Sequence, residues 1–168
     1  LKKLLGDYSK AEYVPIDGPV PTDTTHIMLN AYSTRFNEEL RSKLDENVEP
    51  ILRILDECKQ RRSSIKGIVL VSTAYVHPPL PFPAVESGRL PFLLKGDVKI
   101  SATEVYDKVM DGIPIQDIVP DIHPYYKENS YVFSKHMLEH MIAEKYSELP
   151  VCVVRPSMIA PPLSFDYG

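Results

Sequence analysis

The sequence predicts an α/β fold built on a doubly wound parallel sheet, and two observations support this. Apolar runs rich in β-branched residues, at residues 66–71 and 151–155, alternate with stretches of helical periodicity. The first run is continuously apolar, as is typical of strands buried in parallel sheets. Strands that alternate with helices imply crossover connections, which are right-handed in such sheets.

The first half of the chain predicts a strand, a long helix and a second strand. Residues 24–30 form a candidate buried strand, and Asn37 is placed to cap a helix over residues 38–62. Apolar residues recur in this helix at spacings of three and four, which indicates one buried face. Pro50 lies inside the pattern, and we expect it to kink the helix or to end its first half. The predicted apolar face comprises Leu40, Leu44, Val48, Ile51, Leu52, Ile54 and Leu55.

A proline-rich region, predicted as an insertion at about residues 77–126, opens the second half. Residues 101–104 read SATE, a capping box, so we expect a helix that runs to about Met110. Residues 112–126 are expected to form a loop. A longer helix follows at about residues 128–147 and leads into the closing strand, which is also expected to be buried.

Composition limits the function classes. The chain has 168 residues, a net charge of −4 and 43% hydrophobic residues, which fits one globular domain over residues 1–168. This acidity argues against nucleic acid as a partner, because no basic stripe is present to neutralise phosphates. No run of about twenty apolar residues predicts a membrane span. Cys58 and Cys152 lack metal-ligand spacing and are interpreted as free thiols in a reducing compartment.

Tyr131 and Lys135 are the first candidates for chemistry. They stand four residues apart on the predicted helix, so their side chains share one face. A neighbouring ammonium favours a phenolate, so we expect Lys135 to lower the pKa of Tyr131 from its usual value of about 10. Such a pair can pass a proton to a carbonyl oxygen near neutral pH. Taken alone, the spacing also fits a solvated pair on a helix surface.

Other polar residues follow the predicted strands, where a doubly wound sheet places its ligands. Ser72 and Thr73 come directly after one strand, and residues 156–158 come after the last. Hydroxyl groups there could bind a carbonyl oxygen opposite the Tyr-Lys pair. No metal site is predicted, since His136 and His140 share a helix face without the glutamate of a zinc-binding HExxH pattern.

Together these motifs resemble the fatty acyl-CoA reductase (male-sterility-like) family of the extended short-chain dehydrogenase/reductase superfamily. The resemblance is carried by VLVSTAYV, by NSYVFSKHMLEHM and by LPVCVVRPSMI, in that order. The upstream NAYSTRFNEEL and DENVEPILRIL are similar in order and spacing. The similarity extends over roughly residues 13–158 and implies a Rossmann-like fold.

The resemblance also implies catalytic roles. Tyr131 would be the general acid for the substrate oxygen, and Lys135 would lower its pKa and hold the nicotinamide ribose. Thr73 best matches the substrate-orienting hydroxyl, with Ser72 as the adjacent alternative. Asn47 matches the position that completes the proton relay.

The resemblance also implies which residues would contact the nicotinamide cofactor. The predicted contact residues are Ala31, Ser72, Tyr131, Lys135, Pro156, Ser157 and Met158.

The activity implied by the resemblance is reduction of a long-chain acyl-CoA by NADPH, through the aldehyde, to a fatty alcohol. A thioester reductase, or a sugar or sterol member of the superfamily, would use the same Tyr-Lys chemistry and is the first alternative. Peripheral membrane association through segments outside these residues is implied as well. The expected location is intracellular, at a peroxisome or endoplasmic reticulum surface.

Several departures from the family pattern motivate a non-enzymatic alternative. No G-x-x-G-x-x-G turn is present, so the N-terminal Gly-rich β-α unit is expected to be missing and the chain is interpreted as a fragment. Pro19 follows Gly18 where an acidic residue is usual. Tyr32 stands where a small residue is usual beside the cofactor. A truncated or decayed paralogue without cofactor binding would show the same features.

Overall fold

The structure, a computed structural model, describes residues 12–30, 32–36, 38–77 and 100–159. Two individual predictions lie outside these residues, the helix cap at Asn37 and the cofactor contact at Ala31. Most of the predicted proline-rich insertion, residues 78–99, also lies outside them.

The described residues contain a three-stranded parallel sheet, which confirms the α/β prediction. Its strands are β1 (His26–Leu29), β2 (Gly67–Val71) and β3 (Val151–Val154), in the spatial order β1-β2-β3. Leu29 pairs with Leu70, which in turn pairs with Val153. Parallel neighbours that lie far apart in sequence require the helical crossovers of a partial Rossmann-like fold.

One face of this sheet packs on the core, and the described residues leave the other face open. Leu29 and Leu70 point into the core and are almost fully buried. On the opposite face Met28 is 69% exposed, Val154 is 44% exposed and Cys152 is exposed. The prediction that the first and last strands are buried is therefore wrong for the described part of the chain. Side chains alternate along a strand, and both strands lie at edges of the described sheet.

The predicted long helix is divided in two, as its proline indicated. Helices α1 (Leu40–Asn47) and α2 (Glu49–Gln60) meet at Val48. Pro50 stands in the first turn of α2, where a missing N–H breaks no hydrogen bond of that helix. The cap of α1 is Glu39, whose carboxylate accepts from the amide of the second helical residue at 3.4 Å. The predicted apolar face is buried apart from its first member.

From residue 100 onward the chain is more helical than predicted. Helix α3 (Ala102–Met110) begins at the expected cap, where Ser101 Oγ accepts from the Glu104 amide at 3.0 Å. Two short helices follow, α4 (Ile115–Ile118) and α5 (Pro124–Lys127), so the prediction of a loop over this stretch is wrong. Four-residue helices are too short to produce a detectable apolar repeat.

Helix α6 (Ser130–Lys145) is the central element of the fold. Asn129 caps it by accepting from the Val132 amide at 2.9 Å. Eleven of its sixteen residues are buried, on all sides of the helix. Charged groups on such a helix must be paired inside the protein, because water cannot reach them. Its buried polar residues are Ser130, Ser134, Lys135, His136 and Glu139.

The far end of α6 also supports the start of α3. Glu144 accepts from the amides of Ala102 and Thr103 at 2.9 and 3.0 Å, and from the Thr103 hydroxyl at 2.7 Å. Burial alone would raise the pKa of Glu144, but these hydrogen bonds hold it below the ordinary value. A carboxylate here also interacts favourably with the positive end of the α3 dipole.

Glu144→Gln is expected to loosen the first turn of α3. Because the folded-state pKa is depressed, the charged cap stabilises the fold above the unfolded-state value of about 4.3 and is lost as pH falls through the folded-state value. Hydrogen exchange of the Ala102 and Thr103 amides should be about fivefold faster in the variant at neutral pH, for a loss of about 1 kcal/mol. Unchanged exchange would contradict this role, and Glu148→Gln, which removes a surface carboxylate paired with Lys59, is the matched control.

Candidate active site

The candidate site lies where β2 and β3 end, next to the first half of α6. Ligands are expected at this edge because doubly wound sheets bind them beyond the strand ends. The amide of Ala74, in a short 3-10 helix after β2, donates to the Pro156 carbonyl after β3 at 2.9 Å. Lys135 crosses from α6 and donates to the Val71 carbonyl, the last residue of β2, at 2.8 Å. The structure thus brings Lys135 and the segments that follow β2 and β3 to one edge of the sheet.

Lys135 is enclosed on all sides. Its side chain is 2% exposed, and its Nζ lies over the face of the Tyr32 ring, 2.6 Å from the ring centroid. Burial lowers the pKa of Lys135 to about 6, against an opposing effect of the Glu139 carboxylate. A lysine in this setting is largely neutral above that pH, so its charge depends on small changes around it.

Tyr131 lies on the same side of α6 but is not coupled to Lys135 as predicted. The lysine Nζ is 5.9 Å from the Tyr131 ring centroid, and its hydrogen bond goes to a backbone carbonyl. Burial raises the pKa of Tyr131, so the expected lowering is wrong for this state of the protein. The physical reason is that a distant and largely neutral amine supplies little charge to favour a phenolate. The Tyr131 ring instead makes an edge contact with Phe36, at 5.4 Å between centroids.

Ser72 is engaged by an ion pair inside the protein. Its hydroxyl donates to Glu139 Oε1 at 2.5 Å, and both residues are about 4% exposed. Arg155, directly after β3, donates to the same carboxylate from Nε at 3.1 and 3.2 Å and from Nη2 at 2.5 Å. With its hydroxyl hydrogen used in this way, Ser72 is poorly placed to donate to a substrate.

Thr73 is the better placed hydroxyl of the two. Its Oγ1 accepts from the Tyr75 amide at 3.3 Å and so caps the 3-10 helix after β2. This bond uses a lone pair of the oxygen, so the O–H can still donate to a ligand. Its position supports the preference for Thr73 over Ser72 as the substrate-orienting group, which stays a prediction.

Asn47, the predicted relay residue, holds the loop after β1. Its Oδ1 accepts from the Ser33 amide at 2.8 Å, and its Nδ2 donates to the Ser33 carbonyl at 2.9 Å. Both polar groups of the Asn47 side chain therefore bind the backbone of Ser33, and Asn47 is 1% exposed. This pairing positions the segment that carries Tyr32 over Lys135.

The turn predicted to line the nicotinamide leaves the sheet at this edge. Pro156 is partly buried, whereas Ser157 and Met158 are exposed, the latter by 77%. Among the described residues nothing covers Ser157 or Met158, and the cofactor contacts assigned to this turn stay predictions.

Sequence reasoning did not select Glu139 or Arg155 for this site. A signal for Glu139 was present, because it lies four residues after Lys135 and continues the face that begins at Tyr131. Arg155 carried the weaker signal of a cation directly after a strand. Neither pattern indicates that the two side chains pair with each other and with Ser72.

A cavity of about 690 Å³ lies beside this site rather than in it. It opens between α1, the α3–α4 connection, α5 and the first turn of α6. Phe36, which touches Tyr131, forms part of its wall together with Phe133. Lys135 and Tyr131 do not line it.

The histidines of α6 form a stacked group and not a ligand set. The His136 ring stacks on Tyr126 at 4.8 Å and contacts the His140 ring at 4.7 Å between centroids. Burial and the nearby cationic side chains lower the pKa of His136 to about 3. Across the described ranges, no three His, Cys, Asp or Glu side chains come together as metal ligands.

Comparison with known proteins identifies a family match. The sequence profile of the male sterility protein family, an NAD-binding domain, matches residues 20–165. A Drosophila melanogaster protein that carries the name of a fatty acyl-CoA reductase, CG8306, is 28% identical over 149 residues. Fatty acyl-CoA reductase 1 of Homo sapiens is 28% identical over 155 residues, and that of Rattus norvegicus is 26% identical over the same length.

These matches cover most of this chain and a minor part of each relative. They extend over 86% of the chain for the fly protein and 85% for the two mammalian proteins. The same regions amount to 27% of the fly protein and 26% of the mammalian proteins, so the chain spans about a quarter of the length of these curated relatives.

Tyr32→Ala is expected to raise the pKa of Lys135 above its present value of about 6, because removing the ring lets water reach the amine. The lost cation–π attraction acts in the opposite direction, but at about 1–2 kcal/mol it is smaller than the desolvation it accompanies. The lysine ¹³Cε resonance, assigned with Lys135→Arg and followed against pH, measures the change. Tyr75→Ala, which removes a half-exposed tyrosine, is the control. An unchanged Lys135 titration midpoint in Tyr32→Ala would contradict the idea that the Tyr32 ring shields Lys135 from water.

Proposed function

Because this chain belongs to the male sterility protein family, whose profile describes an NAD-binding domain, we propose that the whole protein is an NADPH-dependent reductase of long-chain fatty acyl-CoA thioesters. The family supports a nicotinamide cofactor, and relatives named as fatty acyl-CoA reductases support the reaction class. The observation that carries the proposal is the placement of Tyr131 and buried Lys135 at the carboxyl edge of the sheet. NADPH, as opposed to NADH, is part of the proposal.

The residues at this edge fit the nicotinamide end of such a cofactor. Lys135 offers an amine donor to ribose hydroxyls, and Thr73 and Tyr131 offer hydroxyls to a reacting oxygen. The obstacle is the Tyr32 ring, which lies over Lys135 Nζ. Cofactor binding at Lys135 therefore requires Tyr32 to move aside. The cofactor would supply the hydride that reaches the carbonyl carbon.

In the proposed reaction the protein's own groups handle the oxygen and its proton. As hydride adds to the carbonyl carbon, negative charge develops on the oxygen, and the hydroxyls of Tyr131 and Thr73 donate to it. Reduction requires Tyr131 to start protonated, and the raised pKa of Tyr131 keeps it so near neutral pH. A charged Lys135 would then stabilise the phenolate that remains after proton transfer.

The complete conversion needs two rounds of this chemistry. The first hydride reduces the thioester, and loss of the CoA thiol leaves an aldehyde. The second hydride reduces the aldehyde carbonyl, and Tyr131 protonates the resulting alkoxide to give the alcohol. Two hydrides and two protons thus convert one acyl-CoA into one fatty alcohol and one free thiol.

The same Tyr-Lys arrangement would serve a thioester reductase or another extended short-chain dehydrogenase. These candidates differ in how they bind the substrate, and the chemistry at the carbonyl is shared. Activity on palmitoyl-CoA, compared with a carrier-bound thioester and with a sugar or sterol, would distinguish them.

One observation favours a different class of function. The Tyr32 ring over Lys135 suits a paralogue that no longer binds cofactor. Such a protein would act as an interaction module. Failure of the full-length protein to bind NADPH would favour it.

For cellular location we propose a reducing, intracellular compartment, at a peroxisome or endoplasmic reticulum surface. The free thiols of Cys58 and Cys152 are compatible with such a compartment. In the part of the chain that the structure describes, no helix combines the length and apolarity needed to cross a bilayer. Peripheral attachment through other segments of the whole protein is part of the same proposal.

Titration of NADPH into the full-length protein, followed by nicotinamide fluorescence, tests the proposal. We expect saturable binding by the parent and by Tyr131→Phe, which keeps the ring and loses the acid. Palmitoyl-CoA-dependent NADPH oxidation should fall in the variant by about a hundredfold or more.

Tyr106→Phe, which removes the hydroxyl of a partly buried tyrosine on α3, is the matched control and should keep full activity. Absence of NADPH binding by the full-length parent would end the reductase proposal.

A further inference from the structure

The Glu139 side chain is bound by residues that follow two different strands. Its carboxylate accepts from the Ser72 hydroxyl at the end of β2 and from the Arg155 guanidinium after β3, with a shortest distance of 2.5 Å to each. The residue itself lies on α6 and is 4% exposed. A buried carboxylate needs this kind of pairing to stay charged, and both oxygens have partners here.

The same carboxylate acts on Lys135. The two residues are four apart on α6, so they share a face of the helix. Burial disfavours the ammonium form of Lys135, and the Glu139 carboxylate works against that effect. Three described groups that face Lys135 through a hydrogen bond or an aromatic ring carry no negative charge near neutral pH. They are the Val71 carbonyl and the tyrosines Tyr32 and Tyr131, whose pKa values are raised by burial.

We infer that Glu139 is a positioning residue for the proposed reaction, which keeps Lys135 able to carry a positive charge inside the closed site. Ser72 and Arg155 serve this role indirectly, by holding the carboxylate in position. The inference gives Ser72 a part other than the substrate contact predicted from sequence. Its catalytic consequence rests on the proposed function, whereas the link between Glu139 and Lys135 does not.

Other ionisable groups around Glu139 could change its effect on the charge of Lys135. Arg155 is the nearest cation and partly offsets the negative charge felt at Lys135. Tyr126, from α5, is buried, and its pKa is raised by that burial together with neighbouring negative charge, including that of Glu139. It is therefore neutral in the working range. Among the described residues, Glu139 is therefore the charged group that acts on Lys135, and Arg155 is the cation that binds it.

The test is the titration of Lys135 in the full-length protein, followed by the lysine ¹³Cε resonance and assigned with Lys135→Arg. Glu139→Gln preserves the size of the side chain and removes its charge. We expect the Lys135 midpoint to fall by about one pH unit or more in this variant. Glu139→Asp keeps the charge but draws it back by one methylene, so a smaller fall is expected. Glu148→Gln, a surface charge removal, should leave the midpoint unchanged.

An unchanged Lys135 midpoint in Glu139→Gln overturns the inference. If that variant does not fold, an unchanged midpoint in Glu139→Asp overturns it instead. Turnover supplies a second readout, because the alkaline limb of the kcat profile should move to lower pH in Glu139→Gln. A purely structural role would lower kcat equally at every pH and would also overturn the inference.

The titration needs no catalysis, so the two proposals can fail separately. A full-length protein that never reduces acyl-CoA but shows the predicted shift in the Lys135 midpoint would refute the function and leave the link between Glu139 and Lys135 intact. Reductase activity without a shift of the Lys135 midpoint in either Glu139 variant would refute the link between Glu139 and Lys135 and leave the proposed function intact.

Discussion

The contact on which this edge of the structure depends is the buried ion pair between Glu139 and Arg155, with Ser72 as its third member. It joins one helix to the ends of two strands, with the carboxylate buried and the guanidinium partly exposed. Breaking one partner of such a pair is far more costly than omitting the whole pair, because an uncompensated charge remains inside. The convergence of the candidate site is therefore maintained by electrostatics as well as by apolar packing.

Local patterns predicted much of the fold because their physical causes are local. A proline is disfavoured inside a helix and tolerated in its first turn, so Pro50 marks the start of α2. Ser101 caps α3 through an amide three residues away. The spacing of Tyr131 and Lys135 likewise follows from helix geometry alone. These features required no knowledge of what packs against them.

The features that local patterns did not predict depend on partners distant in sequence. Burial, to which the overlying Tyr32 ring contributes, lowers the pKa of Lys135 against the effect of Glu139. The hydroxyl of Ser72 is used by a carboxylate 67 residues away. Periodicity also cannot tell which strand faces have a covering layer, so the exposure of Met28 was not foreseen. Spacing identifies candidate groups, but the packed structure determines their charge and partners.

The shared face of Tyr131, Lys135 and Glu139 makes α6 sensitive to length as well as to composition. Each residue of an α-helix turns the chain by about 100°, so one inserted or deleted residue between Tyr131 and Glu139 would rotate the acid away from the lysine and its carboxylate. Variation in this stretch can thus proceed by substitution but not by a change in residue number. The described residues of the segment that carries Tyr32 are not helical, so their position over the lysine depends on the two Ser33–Asn47 hydrogen bonds and not on a helical repeat.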